Sequence, residues 1–451
     1  MKILLVSANT AIDPYPVYPL GLDYVAGAIG ERHEVRVIDA NSLSSMADLG
    51  GLVRGFDPGL IGVSIRNVDN TEAQDPKGFM DGYRKMIGEL KAASRAPIVL
   101  GGSGFTIFPS QMMAALGADY GIVGEGERLA LLVDALEKGE DPWQLTGVMV
   151  ASEGVDTPAP QPLTRSFHRR FDPETAHLSF YLNKGGMLNL QTHRGCCFRC
   201  IYCTYPHIEG RRLRLIDPEE VADTAMALQR VGAAYLFITD SAFNADPDHS
   251  LSVAEHFRKS GLSIPWGAFF IPTRMPDRYF ERLEDAGLTH VEFGTESFSN
   301  PVLEAYGKPF RRQEALDAHR SALASRLHVA HYLLLGGPGE TPETLDDTLK
   351  TAQELRNCVL FFFCGMRIYP NTALCDRALE EGQVTIDQDL VSPIFYRSPS
   401  IDSRAIHRRL KAAGKNRPNW VIGSGGPETA RTLLRLYEKG YKGPLWEMLK
   451  R

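Results

Sequence analysis

Four of the chain's seven cysteines, Cys196, Cys197, Cys200 and Cys203, fall within residues 191–206. Cys196, Cys200 and Cys203 are spaced C-x3-C-x2-C. Thiolates at that spacing cannot all face one another along a helix or a strand, but on a loop they can share one metal centre. A loop is what the local sequence predicts. The apolar run 186–190 reads as a short buried strand, and Arg194-Gly195 ends it. Three thiolates on a cubic iron–sulfur cluster would leave the fourth iron open to a small chelating ligand. The competing chemistry is zinc, with His193 or His207 as a fourth ligand. Zinc sites usually come as two separated Cys-x2-Cys pairs, and this chain has one cysteine cluster without a second pair. Cys197 is also evenly spaced with Cys200 and Cys203, but the C-x3-C-x2-C set is the more specific pattern and makes Cys197 a spare. Cys358, Cys364 and Cys375 read as small buried residues.

The whole chain of 451 residues is long enough for two or three domains, and 43% apolar with 23% charged residues is ordinary for a soluble protein. A net charge of -6 argues against nucleic acid as a partner. No run has the apolar length of a transmembrane segment. Residues 1–7 read as a first strand rather than a signal peptide. Clustered cysteines fit metal ligation in a reducing cytoplasm better than a disulfide framework.

The elements that must position the cysteines divide the chain. Residues 1–140 alternate strand and helix, with strands expected at 2–6, 34–38, 60–65, 98–100 and 120–123. That alternation predicts an α/β, doubly wound parallel sheet, Rossmann-like, with ligands beyond the C-terminal strand ends. Residues 141–185 read as a linker, Pro-rich at 156–162. Residues 186–374 alternate again, with strands at 186–190, 234–239, 266–270, 290–294, 329–335 and 360–367. Six βα units predict a partial (β/α)6 barrel, with the cysteine loop and every Gly-rich stretch on its C-terminal face. Residues 375–451 read as a mostly helical C-terminal region.

With Tyr202 just before its third cysteine, the loop resembles the cluster loop of the radical S-adenosylmethionine (SAM) superfamily. Gly294-Thr295-Glu296-Ser297 and Gly337-Pro338-Gly339-Glu340-Thr341 resemble that family's fourth- and fifth-strand motifs. The resemblance implies a [4Fe-4S] cluster on Cys196, Cys200 and Cys203. It also implies S-adenosyl-L-methionine contacts from Tyr202, Glu296, Ser297, Gly337, Pro338 and Gly339, with Asp240 near the ligand's amino group or ribose. The preceding domain resembles the B12-binding (cobalamin) branch of the family. Gly101-Gly102-Ser103 and Val123-Gly124-Glu125-Gly126 look like its corrin and nucleotide-tail loops, and Ser64, Arg66 and Asn67 would lie near the corrin's lower face. The D-x-H-x-x-G loop that supplies a histidine to cobalt is missing. His33, the one histidine of the first 150 residues, precedes the second strand. The implied cobalamin therefore lacks a protein histidine ligand.

What the resemblance implies is a cobalamin-dependent radical SAM enzyme, a C-methyltransferase that acts on an unactivated carbon through a 5'-deoxyadenosyl radical and methylcobalamin. The alternatives are a cyclisation, rearrangement or oxidation without methyl transfer, or a cobalamin-binding sensor with an inactive barrel. An electron donor such as flavodoxin or ferredoxin is implied as partner. The substrate would be a small molecule. A loose resemblance of Gly443-Pro444-Leu445-Trp446 to proteins of lipid pathways points to a lipid-like one. Phe361-Phe362-Phe363, Tyr369 and Phe395-Tyr396 read as lining for an apolar cavity or as core, and His331 and Arg367 as polar anchors or structural residues. No catalytic side chain is singled out.

Overall fold

The computed structural model describes residues 1–12, 15–151, 168–171 and 176–450; the Pro-rich stretch 156–162 lies outside them. The N-terminal sheet contains β1 (Lys2–Ser7), β2 (Glu34–Asp39), β3 (Leu60–Ser64), β4 (Ile98–Gly101), β5 (Tyr120–Ile122) and β6 (Val148–Val150), in the order β2-β1-β3-β4-β5-β6. The first five run parallel and β6 closes the edge antiparallel to β5. Strand β1 is apolar on both faces because helices cover both. Leu4 and Val6 enter one core, Ile3 and Leu5 the other.

Next come β7 (Met187–Leu190), β8 (His193–Arg194) and β9 (Arg214–Leu215), then β10 (Tyr235–Ile238), β11 (Trp266–Phe270), β12 (Leu288–Glu296) and β13 (His328–Leu335). They are followed by β14 (Cys358–Cys364), β15 (Met366–Arg367), β16 (Phe395–Tyr396) and β17 (Trp420–Ile422). The barrel sheet is parallel, in the order β17-β14-β13-β12-β11-β10-β7. It differs from the six-stranded expectation in two places. The C-terminal region, expected to be mostly helical, adds β17 as a seventh strand. Three apolar residues are too few to show a period, and Trp420 is held by the Phe362 ring 4.6 Å away. The expected sixth strand, 360–367, breaks at Gly365, which takes φ 102° and lets β15 turn off to pair with β16.

Alternation sorts the barrel's residues. Leu236, Trp266, Phe270, Phe293, Leu333 and Phe362 face the surrounding helices. Tyr235 and Phe237, with Tyr332 and Phe361, belong to clusters on the concave face. The run Phe361–Phe363 is thus both things the sequence allowed: Phe362 is outer core, while Phe361 and Phe363 point inward, half-buried. The tail closes the base. Trp446 Nε1 donates to Glu292 at 2.9 Å, and Glu447 pairs with His290 at 3.1 Å.

Buried ion pairs join the two halves. Arg194 contacts Glu127 at 2.6 Å and Glu125 at 3.5 Å, Arg169 contacts Asp23 at 2.8 Å, and Arg367 contacts Asp69 at 2.9 Å. One apolar cluster also crosses between them, packing Val302, Tyr306 and Met366 with Phe105 and Phe108. Among the described residues no helix is long and apolar enough to cross a membrane.

Candidate functional site

The cysteine loop connects β8 to β9, which pair antiparallel, so both of its ends are fixed. Cys196 N donates to Gly210 O at 3.0 Å and Ile201 N to Tyr306 O at 3.1 Å. All seven cysteines are free thiols; Cys196 is buried, Cys200 and Cys203 half-buried, Cys197 exposed. Burial pushes the Cys196 and Cys200 thiols up and that of Cys203 to about 12. Cys196 and Cys200 add to the rise at Cys203, as their charges would if ionised close by. Three desolvated thiols on one anchored loop form a donor set suited to a metal centre that binds thiolate. His193, the alternative fourth ligand, has its Nδ1 3.2 Å from the buried Asp240 carboxylate.

Beside the thiols lies a polar trio. The register of β12 against β13 shifts between Gly294 and Glu296, and Glu296 takes φ 63°. Such a bulge re-aims a side chain at some cost in strain. Glu296 Oε1 accepts from Tyr202 Oη at 2.8 Å and from Lys308 Nζ at 3.3 Å. Burial works against the Lys308 charge, but the Glu296 carboxylate and the Cys200 and Cys203 thiols hold its pKa above the usual lysine value. A cation is thereby fixed next to the cysteines. Tyr306 ties the loop to the Gly-Pro-Gly turn: its carbonyl holds Ile201, and its hydroxyl accepts from Gly337 N at 3.1 Å. A Cβ on Gly337 would lie 2.6 Å from that hydroxyl. Neither Lys308 nor Tyr306 belongs to a motif; both are placed by the chain folding back after β12.

Two of the anticipated SAM-binding residues are engaged elsewhere. Ser297 is fully buried and shares a 2.9 Å hydrogen bond with Thr348. Asp240 accepts from Thr192 N at 2.8 Å and from its hydroxyl at 2.5 Å, fastening the end of β7. His331 bonds Thr295 and His319, and Arg367 bonds Asp69, so both are structural. Tyr202 and Glu296 meet each other beside the cysteines, and Tyr306 ties the Gly337–Gly339 turn to the cysteine loop.

A cavity of about 470 Å³ separates the domains. Ser64, Arg66, Asn67, Gly101, Gly102, Ser103, Gly124, Glu125 and Gly126 line it as anticipated, whereas Val123 is fully buried in the N-terminal core. Asn189, Gln191, Arg194 and Tyr205 line it from the barrel. Gly102 takes φ 97°, and a Cβ there would lie 2.6 Å from Ile65 O, so the turn requires glycine. Arg66 lines the cavity, and its removal from water there lowers its pKa. Among the described residues it has no ion-pair partner. The lining contains no histidine among the described residues, and His33 bonds the Met1 amino group. A broad space with glycine backbone on one wall and polar groups on the other fits a large planar cofactor. Glu125 also pairs with Arg214 at 2.5 Å, so it joins the domains as well.

The concave face of the barrel is aromatic. Tyr332 stacks on Phe361 at 4.8 Å and Phe363 at 6.2 Å, and Phe237 meets Phe269 at 4.9 Å edge-on. Phe269 is 37% exposed although its strand is central. Glu292, beneath, accepts from Tyr332 Oη at 2.7 Å, and burial raises its pKa to about 7.

Known proteins resemble both halves of the chain. Residues 190–352 match the family model of the radical SAM superfamily, and residues 7–133 that of the B12 binding domain. An uncharacterised methyltransferase of Pyrococcus horikoshii is 28% identical over 393 residues, 84% of this chain and 83% of that one. The tryptophan 2-C-methyltransferase of Streptomyces laurentii is 26% identical over 445 residues, 81% of this chain and 73% of that one. The fold is that of the radical SAM methyltransferase TsrM from Kitasatospora setae, solved with tryptophan and a SAM analogue: TM-score 0.89 at 22% identity, covering 100% of this chain and 98% of that one. TsrM has also been solved with cobalamin and a [4Fe-4S] cluster bound, and that structure gives a TM-score of 0.86 at 23% identity, covering 100% of this chain and 97% of that one.

Proposed function

Because the chain belongs to the radical SAM enzymes that carry a B12-binding domain, we propose that it is a cobalamin-dependent C-methyltransferase of a small, hydrophobic molecule. The observation that carries this reading is the shared cavity. Glycine turns of one domain face Arg194 and Tyr205 of the other, and those two residues flank the cysteines. Relatives named as methyltransferases over most of the chain support it.

Cys196, Cys200 and Cys203 would hold the cluster. Tyr202, Glu296 and the Gly337–Gly339 turn would hold S-adenosylmethionine, and the glycine turns with Arg66 and Asn67 would hold cobalamin without a histidine. When bound, these groups supply reductive cleavage of S-adenosylmethionine to a 5'-deoxyadenosyl radical and a transferable methyl group. The chain supplies position and exclusion. Lys308 places a positive charge beside the thiolates, offsetting their mutual repulsion. Arg66 would place a cation beside cobalamin bound in this cavity. The aromatic wall of Phe269, Tyr332, Phe361 and Phe363 keeps water from reactive species and suits a flat apolar substrate. The tryptophan substrate of a relative is consistent with that chemistry. The electron would come from a flavodoxin or ferredoxin in the cytoplasm.

The test is anaerobic incubation of reduced holoenzyme and a small-metabolite pool with S-adenosylmethionine deuterated in its methyl group. A product carrying the label is expected. 5'-Deoxyadenosine formed without any labelled product would replace methyl transfer by rearrangement or oxidation.

A further inference from the structure

The segment between β1 and the helix Leu20–Ile29 serves two places at once. Asn9, Val17, Tyr18 and Pro19 line the interdomain cavity. Tyr15 does not. It crosses to the barrel and packs on Met187, Tyr235 and Phe237 of the concave face, and on Leu433, Tyr437 and Leu445 of the tail. The segment is anchored on either side of it. Ala8 N donates to Ser64 O at 3.1 Å, and Tyr18 Oη donates to Asp23 at 2.9 Å. Pro16 follows Tyr15 and restricts it to extended backbone. A residue of the N-terminal domain is thereby set against the aromatic wall of the other domain.

The hydroxyls gathered at this wall are not equivalent. Tyr332 Oη donates to Glu292 at 2.7 Å, and Tyr437 Oη donates to Gly443 O at 3.2 Å. Tyr235 Oη lies 3.0 Å from His290 Nδ1. Tyr15 differs: among the described residues its hydroxyl has no hydrogen-bond partner. Burial pushes that hydroxyl well above the usual tyrosine value, and the Glu292 carboxylate adds to the rise. Tyr15 in turn acts on Tyr235 and Tyr332, so it stands close to both. A hydroxyl taken from water without a partner is costly, and a ligand that supplies the partner recovers that cost. A ring that only packed the two domains together would have no use for the oxygen.

We propose that Tyr15 is a substrate-positioning residue. Its ring closes the aromatic wall from the N-terminal side, and its hydroxyl hydrogen-bonds a polar group on one edge of the substrate. The inference rests on the aromatic-substrate reading above and narrows it. The substrate class is a flat ring system with a hydroxyl, an N–H or a carbonyl at one edge, because a tyrosine hydroxyl both donates and accepts. A lipid chain without such a group leaves Tyr15 unpaired.

The experiment measures binding of two probes, 2-naphthol and naphthalene, to the holoenzyme by anaerobic equilibrium dialysis. The probes share a ring system and differ by one edge hydroxyl. Wild type is compared with Tyr15→Phe and Phe269→Ala. In Tyr15→Phe the affinity for 2-naphthol relative to naphthalene should fall about three- to tenfold, the range of one neutral hydrogen bond. Naphthalene affinity, cobalamin content and iron content should stay at their wild-type values, because the ring and its packing are kept. A ratio that is unchanged or rises overturns the proposal and leaves Tyr15 as a packing contact. Phe269→Ala should weaken both probes alike, which places them on the aromatic wall. A wild-type protein that binds neither probe, or a Phe269→Ala protein that binds both as well as wild type, contradicts the aromatic-substrate reading itself, and the proposal falls with it.

Discussion

On its N-terminal side the interdomain cavity is walled largely by backbone: the turns at Gly101-Gly102 and Gly124-Glu125-Gly126, with Arg66 lining the space. On the barrel side Arg194 and Tyr205 line it, and they flank a loop whose working groups are side chains held by one another. The Cys200 and Cys203 thiols favour the Lys308 charge, Lys308 holds Glu296, and Glu296 holds Tyr202. One wall recognises by shape and close approach, the other by charge and coordination. The first should fail through added bulk, the second through lost partners.

Four changes can break or sharpen that contrast. Cys200→Ala should abolish cluster absorbance and iron retention while cobalamin remains. Retained iron would show that Cys200 is not a ligand. Gly102→Val forces a Cβ to within 2.6 Å of Ile65 O at a φ of 97°. Cobalamin per chain should drop more than about tenfold with iron unchanged, because strained turns of this kind cost on the order of 1–3 kcal/mol each. Equal loss of iron would mean the two walls are not separable.

Arg194→Ala removes one of the links between the walls and leaves Glu127, 2.6 Å away in the parent, without that cation. Chemical denaturation should show a loss of about 3–5 kcal/mol. A loss within about 0.5 kcal/mol would place the pair among weak surface contacts.

The smallest effect concerns Glu292, whose folded pKa of about 7 stands above its ordinary 4.5. The folded state holds this proton more tightly than the unfolded chain. Its contribution is complete below the unfolded pKa and is lost as pH rises through the folded one. That loss amounts to about 3 kcal/mol over the interval. Glu292→Gln should therefore flatten the fall in melting temperature between about pH 5 and 8. An unchanged slope would remove Glu292 as its source.

Much of this was legible in the sequence because it is written locally. The C-x3-C-x2-C spacing, the Gly-Pro-Gly turn and the alternation of βα units each lie within a short stretch. What escaped depends on distant segments meeting. Lys308 carries no motif, and its role comes from a loop folding back onto Cys200. The pairs Arg194–Glu127 and Arg367–Asp69 join residues far apart in the chain. Asp240 and Ser297 look available in sequence because they end strands, yet Thr192 and Thr348 occupy their polar atoms. Strand β17 escaped because three residues hold no readable period.

The central claim is that one cavity brings a cluster-bound S-adenosylmethionine to a cobalamin lacking a histidine ligand. The electron paramagnetic resonance spectrum of reduced, reconstituted protein tests it most directly. The account predicts a cluster signal that shifts when S-adenosylmethionine is added, and a Co(II) signal without nitrogen superhyperfine splitting from the protein. A cluster signal indifferent to S-adenosylmethionine, or a Co(II) signal split by a protein nitrogen, would contradict it.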